Sequence, residues 1–421
     1  MTVMIVDGSV TKFTRTKNPC PNPAQSSPTT LRLRSPIKHT FQNQKTHTKT
    51  VMKTYLPYSL ILAAAASGMA SGAETAYTTP VGYVTQTCLA NSDTIVGVPL
   101  RLPTVAAAAL SSNPSVGATN AVLTVTGATF GAFSGTHYVK FTSGPSAGSM
   151  FVITSNDATT ITIDRNGATL GAVSGNSFSV TKFWTLAQLF DPSVSTNDPT
   201  TTGNAIVLSN TASGGNRRTE VLFADTITAG VNLSASSSYY ILKGTSPALN
   251  TWRQQGGSTD AGGLQLWPDD YFTIRNPATV TSSTKLTVSG EVDTGNVVIP
   301  LFTRVGGATE KRDNSKLIMR PVDVTLAGLN LAQTAAFVSS SSASGGNRRD
   351  ELIVFDNSTA AFNKSAFKTY YFLGGTTNQW RLQGGSTNAG TDVIPAGSGF
   401  IVRKYGTVGG ETSLWNNTPT Y

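Results

Sequence analysis

Cysteine and histidine are scarce in this sequence. The 421 residues include two cysteines, Cys20 and Cys88, and three histidines, of which only His137 lies beyond the first 50 positions. Cys20 lies in a leading segment that we expect not to fold, so only Cys88 remains in the folded part. An intrachain disulfide is therefore excluded, and stability must come from packing and hydrogen bonds. A single histidine excludes most histidine-based metal sites. We therefore expect no metal and no cofactor.

Long apolar runs are also missing, with one short exception. The run from Leu56 to Ala66 follows Lys53 and precedes the small residues Ser71-Gly72-Ala73. It is too short to span a bilayer as a helix, and its flanks match a secretory signal. We predict a signal peptide at 52–73, with no transmembrane anchor after it; a buried Ala-rich helix is the alternative. The protein is then exported, to the periplasm, the outer cell surface or the extracellular space.

Acidic residues are nearly absent before the predicted signal peptide. Residues 1–53 contain nine Lys and Arg and one acid, Asp7, whereas the rest contains 22 Lys and Arg and 21 acids. The polar leading segment has no apolar periodicity and cannot form a core. We interpret 1–51 as a disordered or mis-called extension, with an organelle transit peptide as the alternative. The balanced charge of the remainder argues against nucleic acid as a partner.

Helical periodicity is weak throughout the chain. Short β-prone runs alternate with Gly, Asn, Asp and Pro, which is typical of an all-β protein. Only Val105–Leu110 and Thr185–Leu189 favour a helix. The fold class that the pattern predicts is therefore all-β.

Two blocks of the sequence occur twice. Ala212–Arg218 returns unchanged as Ala343–Arg349, and Trp252–Gly262 returns with few changes as Trp380–Gly390. Two blocks in the same order, separated by nearly the same interval, indicate two copies of one folding unit.

The repeats define a layout for the predicted mature chain. We predict two β-sandwich or barrel-like units, copy one at 74–276 and copy two at 277–410, followed by a tail at 411–421. Five further alternating runs lie within about 105–182 of copy one. They predict a small, five-stranded, barrel-like insert.

Hydrolase motifs are present only in fragments. Gly144–Gly148 matches the nucleophile-elbow pattern, but a strand follows it and His137 precedes it, so we expect a hairpin turn instead. The adjacent acids Asp269-Asp270 and Asp350-Glu351 point to opposite faces of a strand, and neither pair forms a glycosidase site alone. We predict no catalytic residues. A glycan-active hydrolase, with acids converging from separate loops, is the third interpretation of the chain.

The duplicated blocks contain the candidate binding residues. These are the arginine pairs, Trp-Arg pairs and glutamines of both copies, namely Arg217, Arg218, Trp252, Arg253, Gln255, Arg348, Arg349, Trp380, Arg381 and Gln383. In one interpretation the tryptophans are core residues, and one arginine of each pair binds Glu220 or Glu351. In the other interpretation the tryptophans stack on sugars and the arginines reach the hydroxyls. Two such sites would then provide avidity.

Four segments of the chain are distinctive as a set, namely Glu74–Val84, Val98-Pro99-Leu100, Phe183–Leu186 and the Gly-Gly-Asn-Arg-Arg block. Together they resemble a paralogous family of exported proteins in verrucomicrobial bacteria. The resemblance covers most of 52–410. It implies export and a bacterial cell-envelope setting, and it favours Met52 as the start. It implies no catalytic residue.

These observations predict an exported, non-catalytic protein of a bacterial envelope or cell surface. Its expected role is structural or adhesive, in contact with polysaccharide or with neighbouring envelope proteins. The alternative is a bivalent carbohydrate-binding protein that uses the duplicated Trp-Arg loops.

Overall fold

The computed structural model describes residues 79–195, 204, 206–307 and 309–421. The predicted extension at 1–51, the predicted signal peptide at 52–73 and the first residues of copy one lie outside the described residues. Where it is described, the chain is all-β, as predicted, with a single α-helix, α1 (Leu186–Leu189). No helix in these ranges is long and apolar enough to cross a membrane.

The described residues form twenty-five strands. The first two are β1 (Val81–Cys88) and β2 (Ser92–Val96). The insert contains β3 (Thr104–Ala109), β4 (Ser115–Val116), β5 (Asn120–Thr124), β6 (His137–Phe141), β7 (Met150–Asn156), β8 (Thr160–Asp164) and β9 (Ser177–Lys182). The chain continues with β10 (Trp184–Thr185), β11 (Glu220–Ala224), β12 (Ala235–Leu242), β13 (Thr251–Gln254), β14 (Gln265–Leu266), β15 (Phe272–Asn276) and β16 (Thr284–Glu291). The last strands are β17 (Val297–Phe302), β18 (Arg312–Leu317), β19 (Val324–Thr325), β20 (Glu351–Val354), β21 (Lys368–Leu373), β22 (Gln379–Leu382), β23 (Val393–Ile394), β24 (Gly399–Lys404) and β25 (Thr412–Asn417).

Outside the insert, the strands form two sets with the same connectivity. The first set has a five-stranded sheet in the order β13-β12-β11-β15-β2, and the second has one in the order β22-β21-β20-β24-β18. Each set adds two strand pairs, β1-β16 with β10-β14 and β17-β25 with β19-β23. All of these pairings are antiparallel. We call the two five-stranded sheets the first sheet and the second sheet.

The last strand of each set returns to pair with the first. Strand β16 follows residue 276, at which the sequence pattern ended copy one, and it pairs along its whole length with β1. Strand β25 lies in the predicted tail at 411–421 and pairs with β17. The pairing therefore places 284–291 with the first set and 412–417 with the second.

The insert is one sheet of seven strands, two more than the five predicted. Its order is β3-β9-β6-β7-β8-β5-β4. The Ser111 N–H, just after β3, donates to the Thr124 carbonyl of β5 at 2.9 Å. Because β3 and β5 lie near opposite ends of the strand order, the sheet must curl to bring them together. Val105–Leu110 favoured a helix in the sequence, but 104–109 is strand β3, because every second side chain packs inward and its backbone pairs with β9.

Each strand set and the insert has its own apolar core. The first core includes Trp252 and Phe272, the second includes Trp380 and Phe400, and that of the insert includes Phe178. In the first sheet, β15 directs Phe272 and Ile274 into the core and directs Thr273 and Arg275 to the opposite face. This alternation leaves each sheet with a second face outside its core.

The two sets contact each other through equivalent backbone positions. The Gly97 N–H, after β2, donates to the Gly397 carbonyl at 3.0 Å, and the Leu317 N–H, at the end of β18, donates to the Asp269 carbonyl at 2.8 Å. Both strand sets and the insert belong to one compact unit. These contacts bring the second faces of the two sheets opposite each other.

Candidate functional site

Both duplicated tryptophans lie in the cores. Trp252 is 0% exposed and Trp380 is 2% exposed. The Trp252 indole N–H donates to the Phe190 carbonyl at 3.2 Å, whereas the Trp380 indole N–H finds no acceptor among the described residues. Trp380 packs against Phe337 and Phe372. Neither ring offers a face on which a sugar could stack, so at these two positions the structure agrees with the packing interpretation.

The first arginine of each duplicated pair binds the glutamate three residues later. Arg217 Nε lies 2.7 Å from Glu220, and Arg348 Nε lies 3.4 Å from Glu351. The Arg217 guanidinium also lies over the Tyr240 ring, as the Arg348 guanidinium does over the equivalent tyrosine of the second sheet. A planar guanidinium can bind a carboxylate through its edge and stack on an aromatic ring through its face at the same time. The arginine–glutamate contacts expected from the sequence are therefore present in both sets.

The second arginine of each pair has both a backbone and a side-chain contact, and the Arg218 guanidinium donates to the Thr279 carbonyl. The Arg218 N–H donates to the Ser209 hydroxyl at 2.9 Å, and the Arg349 N–H donates to the Ser340 hydroxyl at 3.0 Å. The Arg349 guanidinium lies over the ring of Tyr405. These contacts lie in the turns that precede β11 and β20.

The other duplicated residues lie at the ends of β13 and β22. Arg253 and Arg381 are half-buried, while Gln255 and Gln383 are exposed. The backbone N–H groups of both glutamines donate to the neighbouring strand at 2.8 Å. These four side chains are not brought together into one site.

A cleft of about 1050 Å³ lies between the second faces of the two sheets. We call it the inter-sheet cleft. The first sheet contributes Leu222 and Thr273, and the second contributes Ile353 and Thr369. Among the ten duplicated candidates, only Arg348 and Gln383 are in its lining. Its volume is that of a ligand-binding pocket, so we take the cleft as the candidate functional site.

On the first sheet, Arg275 and Asp93 form a two-pronged ion pair. Arg275 Nε and Nη2 each lie 2.7 Å from one carboxylate oxygen of Asp93. Arg275 also donates to the Asn363 side chain at 2.8 Å, and the Asn363 N–H donates to Asp93 at 2.7 Å. The hydrogen bonds to Asp93 raise the pKa of Arg275. Since Asn363 lies between β20 and β21, a loop of the second set completes this cluster.

The second sheet carries the equivalent cluster. Arg403 Nε and Nη2 lie 2.7 and 2.9 Å from the two oxygens of Asp313. Arg403 donates to the Asn232 side chain at 2.8 Å, and the Asn232 N–H donates to Asp313 at 2.8 Å. Asn232 lies between β11 and β12 of the first set. Asn232 and Asn363 both adopt a left-handed backbone, with φ of 52° and 46°, which asparagine tolerates better than most residues. The two sets therefore exchange equivalent loops across the cleft.

Two lysines add positive charge to the cleft. Lys311 Nζ lies 2.9 Å from Glu351, the carboxylate that Arg348 also contacts. Lys364 donates to the Thr359 carbonyl at 2.8 Å and to the Asp356 carbonyl. Burial lowers the pKa of Lys364. Both lysines belong to the second set.

Apolar and hydroxyl groups form the rest of the lining. Tyr271 and Phe355 meet edge to face, with ring centroids 6.4 Å apart. Burial raises the pKa of Tyr271 to about 12, so its hydroxyl stays protonated. Ser234 and Ser365 supply further hydroxyls. The cleft thus combines charges, hydrogen-bonding groups and apolar surface, as ligand-binding sites do.

We compared the chain with protein-family models, curated proteins and solved structures. None of them matches it. Its function must therefore be inferred from the geometry of its own residues.

The fragments of hydrolase motifs have structural surroundings. Gly144–Gly148 forms the turn between β6 and β7, and the hydroxyl of Ser146 accepts the Gly171 N–H at 2.9 Å. Lys316 lies between Asp269 and Asp270, at 2.9 and 2.8 Å. Burial raises the pKa of Asp270 to about 6, while Lys316 opposes the shift. These acids join the two strand sets to each other.

The remaining candidates for metal or nucleophilic chemistry are isolated. In the described ranges, no three His, Cys, Asp or Glu side chains are grouped so that they could hold a metal ion. Cys88 is buried, and burial raises the pKa of its thiol to about 12. Burial lowers the pKa of His137, which packs against Phe133.

Sequence reasoning missed the two asparagine loops of the cleft. Asp225–Asn232 and Asp356–Asn363 both begin with Asp, contain Thr-Ala at the same offset and end with Asn. They are separated by the same interval as the identical blocks Ala212–Arg218 and Ala343–Arg349. The similarity of these two loops was detectable in the sequence. It did not indicate that each loop contacts the strand set of the other copy.

Proposed function

We propose that this is an exported, non-catalytic protein of a bacterial envelope or cell surface, which binds polysaccharide in the inter-sheet cleft and has a structural or adhesive role. The observation that carries the proposal is the cleft itself, about 1050 Å³ in volume and lined by charged, hydroxyl and apolar side chains from both sheets. Export and the bacterial setting are supported by the signal-like segment and by the resemblance described above.

The charged groups of the cleft favour binding over catalysis. Asp93 is held by Arg275, and Glu351 is held by Arg348 and Lys311. A glycosidase needs one carboxyl group that can donate a proton and a second that faces the substrate unhindered. Carboxylates fixed in ion pairs suit a rigid recognition surface instead.

The position of the ligand differs from that in the bivalent Trp-Arg model. Because Trp252 and Trp380 are buried, the ligand is expected to bind at one site shared by both strand sets. Asn232 and Asn363 cross between the sets, so each half of the site depends on the other. A single shared site would bind one chain segment and would provide no avidity within one molecule.

Filling the cleft tests the proposal. Thr273 lies on β15, with a strand on either side, and it lines the cleft, so Thr273→Trp should block it. The matched control is Ser289→Trp, on the exposed face of β16. Binding of both variants to a panel of soluble polysaccharides is measured by titration calorimetry. We expect Thr273→Trp to lose binding while the control keeps it; equal binding by both variants would contradict the proposed site.

A second candidate function, contact with another envelope protein, is favoured by strand β1. Val81 and Tyr83 are 73% and 75% exposed on one face of this strand. Neighbouring apolar side chains exposed on a strand favour protein contacts. Tyr83→Ser should weaken such a contact and leave polysaccharide binding unchanged, which crosslinking on intact cells and calorimetry would measure separately.

A further inference from the structure

The charges that line the two sheets are balanced within each copy. On the first sheet, Arg275 lies between Asp93 and Glu220 across neighbouring strands, and Glu220 binds Arg217. We call these four residues the first charged row. It contains two arginines and two carboxylates, so it adds no net charge to the cleft.

The second sheet repeats this arrangement. Arg403 lies between Asp313 and Glu351, and Glu351 contacts Arg348. These four residues form the second charged row, which is balanced in the same way. The charged residues that the two sets share therefore do not make the cleft positive.

The excess of positive charge comes from Lys311 and Lys364, which have no counterpart in the first set. Lys311 precedes Asp313 by two residues, and the same position before Asp93 is occupied by Asn91. Lys364 follows Asn363 directly, and the residue after Asn232 is Leu233. The fold that the two sets share therefore does not require either lysine. Each has local contacts, Lys311 with Glu351 and Lys364 with two carbonyl groups of its own loop, and both lie in the lining of the cleft.

Each lysine lies beside a different charged row. Lys311 contacts Glu351 of the second row. Lys364 is close enough to interact with the charges of two carboxylates, Asp356 of its own loop and Asp93 of the first row. An ammonium group has three N–H donors, of which the described contacts of Lys311 occupy one and those of Lys364 occupy two. Each therefore has donor capacity for a ligand oxygen.

We propose that the cleft binds a carboxylated polysaccharide, with Lys311 and Lys364 each binding a carboxylate on a separate uronic acid unit. This inference rests on the proposed function of the cleft. Two single ammonium groups on different rows fit charges spaced along a chain, and the hydroxyls of Ser234 and Ser365 fit the neutral parts of the sugars. A nucleic acid would require a continuous track of uncompensated cations, whereas the arginines here are neutralised.

Pairs of polymers that differ only in charge test the inference. Polygalacturonate, alginate and hyaluronate, each with its methyl ester, are titrated into the purified protein at two salt concentrations. The key variant is Lys311→Gln/Lys364→Gln. The control is Lys243→Gln/Lys285→Gln, which removes the same charge from exposed lysines outside the cleft. The Thr273→Trp variant, in which the cleft should be blocked, is titrated with the same polymers. Single-stranded DNA is titrated into the parent protein as a different polyanion.

We expect at least one acid form to bind tenfold or more tightly than its ester, with affinity that falls as salt rises. The Lys311→Gln/Lys364→Gln variant should lose at least about tenfold in affinity for the acid form, because charge-assisted contacts are lost, and the control variant should match the parent. Circular dichroism should show that the variants are folded.

If an ester binds as tightly as its acid and Thr273→Trp blocks both, the inference is overturned while the proposed function stands. No binding by any polymer, or binding unaffected by Thr273→Trp, overturns both. Tighter binding of DNA than of any acid form also overturns the inference.

Discussion

Equivalent positions in the two sheets contain a neutral pair in one case and a buried ion pair in the other. In the first sheet, the Thr219 hydroxyl donates to Asn276 at 2.7 Å. In the second, Lys404 donates to Asp350. All four residues are essentially buried. Since the same strand register holds both pairs, the double substitution Asp350→Thr/Lys404→Asn should transfer the neutral pair to the second sheet.

The single substitutions should destabilise the protein strongly. Asp350→Thr leaves the Lys404 ammonium buried without a carboxylate, which typically lowers the free energy of unfolding by about 3–5 kcal/mol. Lys404→Asn should cost less, because Asp350 still accepts the N–H groups of Val338 and Tyr405 at 2.7 and 3.0 Å. Burial also raises the pKa of Asp350, so the carboxyl group can be neutralised by a proton.

The double variant should be close to the parent in stability. In the first sheet the Thr219 hydroxyl accepts the Val207 N–H, as Asp350 accepts that of Val338. The transferred threonine should do the same. The hydrogen bonds lost are those of Asp350 with the Tyr405 N–H and of Lys404 with the Ala336 carbonyl, about 1 kcal/mol each, and the removal of two buried charges offsets this loss. Urea unfolding of the parent, both singles and the double variant gives the interaction free energy, which should be at least about 3 kcal/mol. If the double variant is destabilised by the sum of the singles, the two positions are not equivalent and the reasoning fails.

The two duplicated tryptophans differ in one hydrogen bond, and burial raises the pKa of both Asp270 and Cys88. Trp380→Phe should destabilise the protein by about 1 kcal/mol less than Trp252→Phe, because only the Trp252 indole donates a hydrogen bond; equal losses in urea unfolding would contradict this. Because burial raises the pKa of Asp270 to about 6, the folded state holds this proton more tightly than the unfolded chain. Stability should therefore decline as pH rises from about 4 to about 6, and Asp270→Asn should reduce that slope; an unchanged slope would refute the assignment. The thiol of Cys88, with a pKa raised to about 12, should react with a maleimide only after unfolding, and rapid labelling of the native protein would show that its strand is not packed.

Local patterns in the sequence predicted the strands but not all of their partners. Alternation in runs such as Met150–Ile153 reflects one buried face, which is a property of neighbouring residues, and these runs are strands. The pairing of β16 with β1 and of β25 with β17 joins residues about 200 and about 115 positions apart, and no local pattern specifies such contacts. The alanine run in β3 favoured a helix, but pairing with β9 outweighs this weak preference.

The candidate site was predictable only in part. The contact of Arg217 with Glu220 follows from their spacing within one block, and the structure shows it in both sets. The cleft itself depends on how the two sets face each other, and in particular on Asn232 and Asn363 reaching the opposite set. Residues identical in both copies also cannot distinguish packing from binding, as the buried Trp252 shows. The more informative positions are those where the copies differ, such as Lys364.

The most direct test of the central claim is to locate the ligand on the protein. Hydrogen exchange of backbone amides is measured by mass spectrometry with and without a bound oligouronate. The account predicts slower exchange in the loops at 225–234 and 355–367, which border the inter-sheet cleft from both sets. It predicts no change in the duplicated Trp-Arg loops at 256–262 and 384–390, which do not line the cleft. Protection confined to the Trp-Arg loops, with none at the cleft, would contradict the account.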